Sequence, residues 1–80
     1  MTSATPNSVL IVEDEGLVSL MLEDLVREMG ARVIDVFAAA GDALAALRAS
    51  DYDCAILDII VRDGTSEPVA DALAQRGIPF

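Results

Sequence analysis

Residues 9–15 read VLIVEDE, four aliphatic side chains in a row followed at once by three acids. The apolar run is too short for a helix, and it does not alternate with polar residues. Unbroken runs of this kind are typical of a strand that is buried on both faces, as in a parallel sheet. We therefore predict a buried strand that ends at an acidic edge.

The residues after this strand change period. Between Gly16 and Met29, apolar side chains recur at steps of three and four residues, which predicts an amphipathic helix. Gly30 is a natural stop just past its end. The predicted apolar stripe of this helix consists of Val18, Met21, Leu22, Leu25 and Met29.

The rest of the sequence continues the alternation of strand and helix. The predicted bounds are 32–37, 52–60 and 78–80 for the strands, and 38–50 and 66–76 for the helices. Residues 62–66 have the composition of a turn. Strands that alternate with helices imply right-handed crossovers and an α/β fold with a parallel sheet covered on both faces. Residues 1–8 are predicted to be a flexible tail and residues 9–80 to form a single domain.

Charge and composition exclude several functions. The formal net charge is −9, from 14 acids and five arginines, so we expect no nucleic-acid binding by this segment. The chain contains no histidine and no lysine, which excludes His-based acid–base chemistry, His-containing metal sites and P-loop chemistry within it. No apolar run is long enough to cross a bilayer, and no secretory signal is recognisable, so we expect a cytoplasmic protein without membrane contact. The single cysteine, Cys54, is predicted to be a buried structural thiol.

The acids at the strand ends suggest a metal site. Glu13 and Asp14 follow the first predicted strand, and Asp58 lies at the end of the third. Ligands of open parallel sheets bind beyond the carboxyl ends of the strands. If the first and third strands are neighbours, three carboxylates converge and need a cation to offset their repulsion. Ligand sets made only of oxygen favour Mg²⁺, and a carboxylate held against Mg²⁺ can attack phosphorus.

A purely structural role is the alternative for these acids. Acids that follow strands are common as helix caps and turn formers, which could explain Glu13 and Asp14. Asp58 is harder to explain in this way, because it interrupts an apolar stretch where an unpaired charge is costly.

Three stretches resemble response-regulator receiver domains of two-component signalling. Residues 9–15 resemble their opening, residues 52–58 their phosphoacceptor strand, and residues 68–80 their third helix and the entry to their fourth strand. The resemblance spans residues 8–80 in order, and it implies a flavodoxin-like (CheY-like) doubly wound parallel sheet.

The resemblance also implies roles for individual residues. Asp58 would accept a phosphoryl group from a histidine kinase or a phosphotransfer protein, which makes the chain a phosphoacceptor and not an enzyme. Asp14 would bind Mg²⁺ directly and Glu13 through water, and Asp58 and the backbone carbonyl of Ile60 would be further metal ligands. The family often has asparagine at position 60, but a main-chain contact should tolerate isoleucine.

The sequence departs from the family in its extent. A full receiver has five strands and five helices, and about three and a half such units are recognisable here. The remaining part of a receiver normally carries a Thr or Ser that binds the phosphoryl group, a Lys that pairs with it and a switch aromatic, and this chain has no lysine. Because the fourth and fifth strands of a receiver would cover the third strand, we expect an uncovered sheet edge here that favours a homodimer.

Two other functions are weighed against phosphoryl transfer. One is a pseudo-receiver, an interaction module that docks with partners and never accepts phosphate. The other is a Mg²⁺ hydrolase of the haloacid-dehalogenase or topoisomerase–primase type, which requires a second Asp where this chain has Ile60.

Overall fold

A computed structural model describes residues 6–80. Within these residues the chain forms five strands and three helices. The strands are β1 (Ser8–Val12), β2 (Val33–Phe37), β3 (Cys54–Leu57), β4 (Ile60–Val61) and β5 (Gly64–Thr65), and the helices are α1 (Gly16–Glu28), α2 (Ala40–Ala49) and α3 (Glu67–Gln75).

The three longer strands form the predicted parallel sheet, and their order in it is β2-β1-β3. Val9 of the central strand is paired with Ile34 on one side and with Cys54 on the other. Residues 9–12 are at most 1% exposed, which explains why the strand is an unbroken apolar run.

Helices cover both faces of this sheet. Leu10 and Val12 pack with Leu47 of α2 and Leu73 of α3 in one core cluster. Residues 9 and 11, on the opposite face, pack with Val26 of α1 in a second cluster. The alternation of side chains along β1 therefore divides one apolar run between two cores, as in a doubly wound α/β fold.

The predicted helix α1 is present, but most of its predicted apolar stripe does not face the sheet. Val26, which the stripe does not include, is the buried residue of α1, while Met21 is 70% exposed and Leu25 53% exposed. The helix is rotated so that Leu22 and Val26 meet the sheet. Leu25 instead lines an open apolar groove of about 160 Å³, together with Pro6, Val9, Val26, Met29, Ala31, Cys54 and Ile56.

The third strand is shorter than predicted. It ends at Leu57, and the chain then turns into an antiparallel hairpin in which Ile60 pairs with Thr65 and Val61 with Gly64. The predicted turn at 62–66 is therefore the tip and second strand of this hairpin. Gly64 has φ +128°, a conformation that L side chains rarely adopt.

The two ends of the described chain are held to β3. Asp53 accepts hydrogen bonds from the N–H groups of Asn7 and Ser8, at 2.8 and 3.0 Å. These bonds lower the pKa of Asp53, and the bond from Ser8 contributes most. Strand β1 begins at Ser8, the last residue of the predicted tail, which is paired with Val33 of β2. Residues 1–5 of that tail lie outside the described residues. At the other end, Ala55 donates a hydrogen bond to the carbonyl of Pro79 at 3.0 Å, so the chain there runs beside β3.

Cys54, predicted to be a buried thiol, is half-buried, and its burial raises the pKa of the thiol. Within residues 6–80, none of the helices combines the length and the hydrophobicity that crossing a membrane requires.

Candidate functional site

The predicted acids meet at one edge of the sheet. Glu13 and Asp14 follow β1 directly, and Asp58 follows β3. Because β1 and β3 are parallel neighbours, with Val12 opposite Leu57, the carboxyl ends of both strands lie side by side. Each acid offers one carboxylate oxygen, and these oxygens lie within 4.8 Å of one another. We call Glu13, Asp14 and Asp58 the acidic cluster.

The backbone around the acidic cluster is held by the sheet. Glu13 donates its N–H to the carbonyl of Phe37 at 2.9 Å, and Asp58 donates its N–H to the carbonyl of Val12 at 2.9 Å. Both bonds continue the strand ladders one residue past the strands. The cluster is therefore placed by the regular structure of the sheet and not by a free loop.

Local hydrogen bonds orient two of the three carboxylates. Glu13 is buried and accepts the N–H of Glu15 at 3.1 Å. Asp58 is half-buried, and its Oδ1 accepts the N–H of Ile59 at 2.8 Å. Asp14 is exposed. The cluster thus has a fixed inner part and an outer part open to solvent.

Among residues 6–80, no cationic side chain forms an ion pair with the cluster. In the part of the chain that the structure describes, the ion pairs are Arg27 with Glu23 and Arg76 with Asp51. Carboxylates this close repel each other, and a hard cation would remove that repulsion. Oxygen donors without nitrogen or sulfur, partly open to water, are the ligands that Mg²⁺ prefers. The residues present therefore fit Mg²⁺.

Ile60 is the fourth predicted ligand, and it is not an acid. It is the first residue of β4, and its side chain is 64% exposed. Ile59 beside it is 74% exposed. The predicted contact of Ile60 is through its backbone carbonyl, and that role stays a prediction.

Sequence reasoning missed Asp63, at the tip of the β4–β5 hairpin. Its two carboxylate oxygens accept the N–H groups of Ala40, at 2.7 Å, and of Gly41, at 3.0 Å, in the first turn of α2. These bonds lower the pKa of Asp63, and the bond from Gly41 contributes most. A signal existed: Ala39, at the start of α2, cannot cap the helix with its side chain, so the first N–H groups needed an acceptor from elsewhere.

Known structures show the same fold. The solution structure of SdrG from Sphingomonas melonis Fr1 has a TM-score of 0.86 and 40% identity, over 98% of this chain and 67% of that chain. The PhyR stress response regulator has a TM-score of 0.80 and 38% identity, over 90% of this chain and 29% of that one. The receiver (REC) domain of the Erythrobacter litoralis PhyR response regulator has a TM-score of 0.76 and 38% identity, over 86% and 55% of the respective chains.

Comparison with protein-family models and with curated proteins finds no match. The structural similarity to SdrG agrees with the parallel sheet, and the 40% identity over nearly all of this chain agrees with the resemblance seen in the sequence. The chain belongs to the receiver-domain family of response regulators.

Proposed function

We propose that this receiver domain accepts a phosphoryl group on Asp58, from a histidine kinase or a phosphotransfer protein, with Mg²⁺ bound at the acidic cluster. One observation carries the proposal: carboxylate oxygens of Glu13, Asp14 and Asp58 lie within 4.8 Å of one another. They do so at the carboxyl ends of adjacent parallel strands, where open α/β sheets bind their ligands.

Each residue of the cluster has a distinct part in the proposed reaction. Glu13, buried and bonded to the N–H of Glu15, and Asp14, open to solvent, would hold the cation together with Asp58. Bound Mg²⁺ supplies positive charge that offsets the carboxylates and the phosphate oxygens. The N–H of Ile59 fixes the orientation of the Asp58 carboxylate through Oδ1.

The proposed transfer forms one bond and breaks one. A carboxylate oxygen of Asp58 bonds to phosphorus, and the phosphorus–nitrogen bond of the donor phosphohistidine breaks. The products are an acyl phosphate on Asp58 and a free histidine, whose nitrogen takes up a proton from solvent. The chain is the acceptor in this reaction and is not itself an enzyme.

A second candidate function is a pseudo-receiver that docks with partners without accepting phosphate. It is considered because these 80 residues contain no lysine, whereas receivers normally pair a lysine with the phosphoryl group. The acidic cluster favours the phosphoacceptor over this alternative. Phosphorylation of Asp58 separates the two.

The predicted homodimer is a separate proposal about the sheet edge. Pro79 accepts a hydrogen bond from Ala55, so the chain itself already covers part of the outer edge of β3. Pairing of a second copy would have to use the remainder of that edge. Sedimentation over a wide concentration range tests the dimer, and a monomer at every concentration would exclude it.

Intact-mass measurement tests the phosphoacceptor. The protein is incubated with Mg²⁺ and a small acyl-phosphate donor, with Asp58→Ala and Asp71→Asn alongside. Asp71 is the matched control, because it is an exposed acid of α3 outside the acidic cluster. We expect the mass of one phosphoryl group in the parent and in Asp71→Asn, and none in Asp58→Ala or without Mg²⁺. An unmodified parent chain would leave two explanations: a pseudo-receiver, or a phosphoacceptor site that these 80 residues hold only in part. The same test on a chain extended through the remaining strands would separate them.

A further inference from the structure

The segment that follows Asp58 leaves the sheet and has to be held by other contacts. It consists of Ile59, the β4–β5 hairpin and Ser66. At its base, Ser66 donates its N–H to the carbonyl of Ile59 at 3.0 Å. In its middle, Val61 is 4% exposed and belongs to the core cluster that contains Ala40 and Ala43 of α2.

The tip of the hairpin is bound to the start of α2. Arg62 donates its N–H to the carbonyl of Ala38 at 3.0 Å. Asp63 accepts the N–H groups of Ala40 and Gly41, at 2.7 and 3.0 Å. A serine or aspartate at position 39 could accept such N–H groups locally, because Ala39 already has the extended backbone of an N-cap residue. What Asp63 adds beyond a cap is a bridge between the hairpin and α2.

This bridge closes a ring of contacts that joins Glu13 to Asp58. Strand β2 ends at Phe37, whose carbonyl accepts the N–H of Glu13. The next residues begin α2, which Asp63 binds, and the hairpin leads back from Asp63 to Asp58. Glu13 and Asp58 are thus connected in two ways, through the β1–β3 ladder and through this ring.

We propose that Asp63 is a positioning residue of the acidic cluster: its bonds to α2 hold the segment after Asp58 in the arrangement that binds a divalent cation. This inference rests on the proposed function of the cluster. Ile59 and Ile60 are 74% and 64% exposed, so their side chains add little packing to hold them. Without Asp63, the Ile59 N–H that orients Asp58 and the Ile60 carbonyl lose part of their support.

The expected effect is on cation affinity. Residues that orient metal ligands through hydrogen bonds typically change metal affinity by about 10- to 100-fold when they are replaced. Asp63 acts through the backbone and not on a ligand directly, so we expect Asp63→Ala to weaken Mg²⁺ binding by about tenfold, the lower end of that range.

The experiment is a Mg²⁺ titration of the full chain, followed by the amide NMR shifts of Glu13, Asp14 and Asp58. The free energy of unfolding of each variant is measured in urea in parallel. Two further variants separate positioning from stability. In Ala39→Ser/Asp63→Ala, α2 regains a local cap but the hairpin stays unbound. Asp53→Ala is the matched control, because Asp53 also accepts two backbone N–H groups but lies before β3, at the opposite end of that strand.

The proposal requires a specific pattern of results. Asp63→Ala should bind Mg²⁺ about tenfold more weakly than the parent. The double variant should regain stability without regaining affinity, and Asp53→Ala should lose stability while keeping the affinity of the parent. Parent-like affinity in Asp63→Ala, or restored affinity in the double variant, would overturn the positioning role alone. A parent chain whose cluster shows no saturable Mg²⁺ response would overturn both this inference and the proposed metal site.

Discussion

Replacing Asp58 with asparagine should stabilise the protein in the absence of divalent cations. The three carboxylate oxygens of the acidic cluster lie within 4.8 Å of one another, so each negative charge raises the free energy of the folded state. Asparagine removes one charge and keeps an oxygen that can accept the N–H of Ile59. The substitution therefore tests the repulsion without removing the local hydrogen bond.

The size of the effect follows from the separation of the charges. Two like charges 4.8 Å apart repel by about 0.9 kcal/mol in water and by about 3.5 kcal/mol at an effective dielectric constant of about 20. Asp58 is half-buried and Asp14 is exposed, so the lower value is the better guide, and salt screens it further. Asp58 faces two such partners, which gives a net stabilisation of about 1 to 2 kcal/mol.

Urea denaturation followed by circular dichroism measures this difference, once with a chelator and once with millimolar MgCl₂. We expect Asp58→Asn to unfold at higher urea than the parent in the chelator. Mg²⁺ should then stabilise the parent more than the variant, because the variant has lost a charged ligand. Asp71→Asn is the control, and it should change the free energy of unfolding by less than about 0.5 kcal/mol.

Two results would refute the reasoning. If Asp58→Asn destabilises the protein in the chelator, the carboxylates do not repel each other appreciably in the folded state. If Mg²⁺ stabilises parent and variant equally, Asp58 does not take part in cation binding.

Three further predictions concern the stability of the fold. The Tyr52 hydroxyl donates to Asp35 at 2.5 Å, and burial together with this bond raises the pKa of Tyr52 to about 12. Because the folded pKa lies above the unfolded value of about 10, the stability that this bond contributes is complete below pH 10 and is lost between about pH 10 and 12. Urea unfolding against pH should show this loss in the parent and not in Tyr52→Phe. Leu73 is fully buried, so Leu73→Ala should lower the free energy of unfolding by about 2 to 5 kcal/mol, and a loss below about 1 kcal/mol in urea would contradict the packing. Gly64→Ala should cost roughly 1 to 3 kcal/mol in thermal or urea unfolding because φ is +128°, whereas Gly16→Ala in α1, with open space around the new Cβ, should cost nothing. Equal stability of the two alanine variants would show that the hairpin tolerates the change.

The sheet and the acidic cluster could be predicted from the sequence because both depend on local order along the chain. An unbroken run such as residues 9–12 indicates a strand buried on both faces, and the acids directly after it lie at its carboxyl end. Parallel strands place their carboxyl ends at the same edge of the sheet. Once β1 and β3 are neighbours, Glu13 and Asp58 have to meet.

The buried face of α1 could not be predicted in this way. Helical periodicity identifies apolar stripes, but α1 has apolar residues on more than one side, and period alone does not say which side meets the sheet. The structure buries Val26 and leaves Met21 and Leu25 mostly exposed. That choice depends on the direction from which α1 crosses β1 and β2, which is a property of the packed fold.

By itself, therefore, the sequence determined the α/β class, the parallel sheet and the three carboxylates at its edge. Only the tertiary structure revealed that Asp63 binds the start of α2, because its partner N–H groups lie 22 and 23 residues earlier in the chain. The sequence alone indicates that Asp63 is an ordinary turn residue, because a local pattern contains only periodicity and turn-forming residues. A hydrogen bond between distant segments depends on where the packing of the core brings those segments together.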